Sequence, residues 1–106
     1  MKNKIGKYEA EIIRDKKNIT KHADIIKRYE GLIDWYQEEI EKYRGMLEKS
    51  KKEEYINGYG EVIKKFQALI KDFQGEIKKH NDKIAYYRWW SRVLETRVKW
   101  IKELKK

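Results

Sequence analysis

The sequence predicts an all-α chain, a long antiparallel coiled-coil helical hairpin that dimerises into a four-helix bundle. Three observations lead there. Isoleucine recurs every seven residues through the first half of the chain, a second seven-residue series of different phase runs through the second half, and an Asn-Gly-Tyr-Gly breaker separates them.

The first series is Ile5, Ile12, Ile19, Ile26, Ile33, Ile40 and Leu47, taken as heptad position a. Three residues after each come Tyr8, Asp15, His22, Tyr29, Tyr36, Tyr43 and Ser50, which form the d series. Apolar residues at this spacing make a coiled-coil seam, so a first helix is expected over residues 3–50. The second seam runs Ile56, Ile63, Ile70, Ile77, Ile84, Ser91 and Val98, with Tyr59, Phe66, Phe73, His80, Tyr87, Leu94 and Ile101 at d. Leu47 and Ile56 are not a multiple of seven apart, so one straight helix cannot carry both seams. Asn57-Gly58-Tyr59-Gly60 is the strongest turn signal in the chain, which puts a loop at 51–60 and a second helix at 61–104. Gly31, Gly45 and Gly75 fall at f, opposite the seam, where a designer would have placed a stronger helix former; this points to a natural protein.

Two such helices fold back as a pair, each about 65 Å long at 1.5 Å per residue. Two registers keep isoleucine on isoleucine. The longer-loop register pairs Leu47 with Ile63, Ile40 with Ile70, Ile33 with Ile77 and Ile26 with Ile84, and faces His22 with Tyr87 and Tyr29 with His80. The other is one heptad shorter, faces His22 with His80, and forces the glycine segment into the second helix at a cost of about 2–3 kcal/mol. That cost favours the longer loop and a single domain over 1–106.

Composition narrows the function classes. The chain has 106 residues, a net charge of +9, 42% charged residues, and neither cysteine nor proline. This length leaves little room for a catalytic cleft, and the lack of cysteine removes disulfides, thiolate zinc sites and thiol nucleophiles. No run of eighteen apolar residues offers a membrane span, and the N-terminus lacks the apolar stretch of a signal peptide. A cytoplasmic location is therefore expected, in the host cytoplasm if the source is a virus, with the Asn18-Ile19-Thr20 sequon idle. Fourteen isoleucines against five leucines, and 21 lysines against six arginines, suggest an AT-rich genome.

No phosphate-cradling glycine loop, metalloprotease helix or catalytic triad pattern occurs, so no enzyme, no cofactor and no metal is expected. In the longer-loop register His22 and His80 lie about 10 Å apart along the pair, too far to share an ion. Each is expected to bond a facing tyrosine.

Two surfaces invite partners. At g, beside the seam, Ile25, Leu32 and Met46 on the first helix and Val62, Leu69 and Trp90 on the second make an apolar strip that one hairpin leaves uncovered. Its expected role is self-association into a homodimer. Further out, Trp89 and Trp100 mix with Arg88, Arg92, Arg97 and Lys99 on the second helix, near Arg14, Lys17 and Lys21 on the first. Residues 1–28 carry nine basic and four acidic groups and residues 83–106 eight and two, so basic segments distant in sequence converge where the termini meet. Such a basic, tryptophan-rich end suits an acidic protein or nucleoprotein partner, as in a viral or bacterial adaptor or inhibitor. The alternative is direct binding of DNA or RNA, with cations on phosphates and tryptophans stacked on unpaired bases. Peripheral membrane binding is the weakest expectation, since the basic helix already has a packed face.

Overall fold

The computed structural model describes residues 2–105; Met1 and Lys106 lie outside it. Helix α1 spans Lys2–Lys49 and helix α2 spans Glu53–Leu104, and no strand occurs among the described residues. With no proline in the chain, no backbone N–H is missing from either helical ladder. The helices pack as two units: Met1–Ile25 with Lys79–Lys106, here the terminal unit, and Ile26–Lys78, here the loop unit.

The loop unit is an antiparallel helical hairpin. Its core is Ile33, Ile40 and Ile70, with Tyr36, Ile63, Phe66, Phe73 and Ile77 packed around them, so the a positions of both seams bury together. Aromatic rings form the d layers and report the register. Tyr36 lies 5.0 Å from Phe66 but 5.9 Å from Phe73, and Tyr29 lies 5.5 Å from Phe73. At the loop end Tyr43 reaches Tyr59 at 5.8 Å and Phe66 at 5.9 Å. The nearer ring of each set, Phe66 for Tyr36, Phe73 for Tyr29 and Tyr59 for Tyr43, is its partner in the shorter register, one heptad away from the favoured one.

The connection is shorter to match. The loop expected at 51–60 is only residues 50–52, and α2 begins at Glu53 rather than at 61. Asn57, Gly58 and Gly60 therefore sit inside the first turns of α2, and no described residue has a positive φ. The Lys52 carbonyl starts the helix, accepting hydrogen bonds from the backbone N–H of Tyr55 and of Ile56, both at 3.1 Å. Glu53 and Glu54 place negative charge in the first turn, where the helix dipole favours it. Each interior glycine costs about 1 kcal/mol against alanine. The added turns outweigh this because each satisfies further backbone groups, at about 0.5–1.5 kcal/mol net per hydrogen bond. They also seat Tyr59 against Tyr43, whereas a loop at 51–60 would hold Tyr59 outside the seam.

The terminal unit is an antiparallel helix pair. Ile12, Leu94 and Val98 are its buried cluster, with Ile5, Tyr8 and Trp90 packed against it. Its layers follow the same register: His22 faces His80, and the Lys16–Glu95 and Glu9–Lys102 ion pairs, at 3.7 and 3.4 Å, flank the seam. All four charged groups are exposed, so these pairs contribute little to stability. No helix among the described residues is long and apolar enough to cross a membrane.

Candidate macromolecular docking surface

The terminal unit holds the whole net charge of the chain. Residues 1–25 and 79–106 contain 16 basic and 7 acidic groups, whereas residues 26–78 contain 11 of each. The seam takes Ile84, Ser91, Leu94 and Val98 inward, which leaves the other faces of α2 to solvent. Successive residues turn by about 100°, and this spacing sorts the outward side chains into two adjacent stripes. Arg88, Arg92 and Lys99 fall within about 40° of one another, and Trp89, Trp100, Val93 and Tyr86 within about 60° beside them. The mixture expected from the sequence is thus resolved into a basic stripe next to an aromatic one, with Arg97 beyond the aromatic edge.

Exposure supports the division. Trp89 and Trp100 are 58% and 62% exposed and Tyr86 is 56% exposed, while Arg88, Arg92, Arg97 and Lys99 are all solvent-facing. Arg14, Lys17 and Lys21 of α1 are exposed as well. Lys16 and Lys102 are engaged by carboxylates across the pair; none of these seven cations forms an ion pair among the described residues. Neighbouring rings brace the aromatic stripe. Trp89 meets Trp90 edge-on at 5.1 Å, Tyr86 meets Tyr87 edge-on at 5.6 Å, and Trp90 Nε1–H donates to Tyr86 Oη at 2.7 Å.

Between the helices lies a groove of about 220 Å³ lined by Glu11, Arg14, Asp15, Tyr86, Tyr87, Trp90 and Leu94. Two carboxylates on its α1 wall interrupt the positive field. Burial, then the charge of Glu11, raises the Asp15 pKa above the usual carboxylate value, against the opposing effects of the Ser91 hydroxyl and Arg14. Ser91 is 7% exposed, and its Oγ has no partner at hydrogen-bonding geometry among the described residues.

No family model, curated protein or solved structure shows significant similarity to the chain.

The strip expected to dimerise divides between the units. In the loop unit Leu32 and Met46 are 43% and 38% exposed, Val62 and Leu69 are half-buried, and Trp35 stands 51% exposed. Ile25 and Trp90 belong to the terminal unit, both half-buried, and Trp90 packs on the cluster of its own chain. The histidines depart most from expectation. Their predicted separation of about 10 Å is replaced by direct contact, Nδ1 to Nδ1 at 2.7 Å. The register favoured by glycine propensity keeps the two rings apart, although each seam carries a histidine at position d, which is the signal for this layer. Among the described residues no group of three histidine, cysteine or acidic side chains could hold a metal ion.

Proposed function

We propose that this chain is a non-enzymatic interaction protein that docks an acidic macromolecular partner, a protein or nucleoprotein surface, through the paired stripes on α2 of its terminal unit. The observation that carries this reading is the exposure of Trp89 and Trp100 beside Arg88, Arg92 and Lys99, all outside the seam. Folding the helix pair does not require any of them, and large aromatics with arginine are the side chains that dominate protein interfaces. A second copy covers Leu32, Met46, Val62 and Leu69 of the loop unit, giving a dimeric four-helix bundle. The setting is cytoplasmic, that of a host cell if the source is a virus.

The test is partner capture from the source cell with and without nuclease, using the wild type and Arg92→Glu with Lys99→Glu. Capture that survives nuclease, and that the double variant loses with its helical signal intact, supports docking to protein. Direct nucleic-acid binding is the second reading, favoured by the adjacency of basic and aromatic stripes. It requires binding to single-stranded oligonucleotides whose affinity falls log-linearly with salt. Wild-type protein that ignores oligonucleotides at low salt eliminates it.

A further inference from the structure

The terminal unit contains a titratable contact that docking does not use. His22 on α1 and His80 on α2 bring their Nδ1 atoms to 2.7 Å, with ring centroids 4.9 Å apart and planes inclined by 39°. Both rings are half-buried, and the Tyr87 ring stacks on His22 at 6.0 Å.

Two imidazole nitrogens this close need one proton between them. With none, two lone pairs face each other; with two, N–H meets N–H, and when both rings are imidazolium two cations touch as well. One Nδ1 must therefore donate and the other accept. Two ionisation states satisfy this: both rings neutral, or one imidazolium donating to a neutral partner. The doubly protonated state does not.

The surroundings reinforce that limit. Burial first, then His80, Lys83 and Lys21, hold the His22 pKa below the ordinary 6.5. Of these charges Lys21 comes from α1, His80 and Lys83 from α2, and each is cationic when protonated. Glu76 and Lys79 stand within a turn of His80 on α2, and Asp15 lies one heptad before His22 on α1.

We propose that His22 and His80 form a proton-sharing latch, closed while at most one of the two rings is an imidazolium and opened when mild acid makes both rings cationic. The sign follows from linkage. An unfolded chain protonates its histidines at about pH 6.5, whereas the paired state resists a second positive charge. The latch stabilises fully above that pH and fails as pH falls through the depressed folded value. This inference is independent of the docking reading, which is tested by binding at constant pH.

Two measurements on the full chain decide it. In long-range proton–nitrogen correlation spectra of the wild type at pH 8, one ring should carry its proton on Nδ1 and the other on Nε2. On acidification the rings should protonate in two separate steps, the second below the ordinary histidine range and accompanied by weaker helix pairing. In melts between pH 5 and 8, the folded-to-unfolded ratio should fall by up to tenfold per pH unit below about 6.5, where the unfolded chain binds one more proton. His22→Asn and His80→Asn should each flatten that dependence. Both rings titrating independently at ordinary values would overturn the latch, as would Asn variants that keep the wild-type slope. Should the variants fail to fold, the wild-type spectra still decide.

Discussion

Trp89, Trp90 and Ser91 follow one another in sequence and have three different surroundings. Trp89 is open to solvent, Trp90 packs on the cluster of its own unit, and Ser91 occupies a seam position normally held by an aliphatic side chain. Helical geometry explains the difference, since each step of about 100° changes the face presented. Trp89→Ala should therefore leave the melting temperature nearly unchanged and weaken partner binding. The loss should be about 1–3 kcal/mol if the ring stacks on a base, or about 2 kcal/mol or more if it fills a protein pocket. Titration calorimetry against the captured partner and against oligonucleotides measures both. Asp15 behaves differently, because the folded state disfavours its charge. With its pKa raised from 3.8, its contribution is most favourable below that value and is lost as pH rises through the folded value. Asp15→Asn should accordingly raise the melting temperature at pH 7, with the gain shrinking towards pH 3. A variant that melts lower at pH 7 would contradict this assignment.

At the scale of the element, the start of α2 is where propensity and tertiary packing conflict. Asn57, Gly58 and Gly60 are poor helix formers, yet they lie in helix because the turns around them complete backbone hydrogen bonds and place Tyr59 against Tyr43. A Cβ built at Gly58 or at Gly60 meets nothing within 4 Å, and neither has a positive φ. Gly58→Ala and Gly60→Ala should each stabilise the protein by about 1 kcal/mol. The expected reading is a higher denaturant midpoint with an unchanged slope. A flexible ten-residue loop would show no such additive gain, so the same experiment separates the two registers.

For the whole molecule, charge and apolar surface are segregated. The terminal unit carries the net positive charge and the most exposed tryptophans, whereas the loop unit is neutral and presents Leu32, Trp35 and Met46. If a second copy covers that apolar side, Leu32→Glu with Leu69→Glu should yield monomers of lower stability, because charge would be forced into a buried strip. Sedimentation of the wild type at tens of micromolar should give a dimer; a monomer there would refute self-association. Trp89→Ala should leave the dimer intact, since its ring belongs to the stripe proposed for docking. A broken dimer would reassign that face to self-association.

The existence of two helices, their seams and the identity of the core can be read from the residues alone, because these depend on local periodicity. Ile33, Ile40 and Ile70 could be placed in the core from spacing alone, and they are buried. Exposure of Trp89, Trp100 and their cationic neighbours was legible in the same way, from positions outside the seam. Register was not. A heptad pattern shifted by seven residues still lays isoleucine on isoleucine, so periodicity is blind to the choice. The choice is made by packing in three dimensions, through ring layers and end turns that favour one alignment. From that choice come the three-residue connection and the contact between His22 and His80.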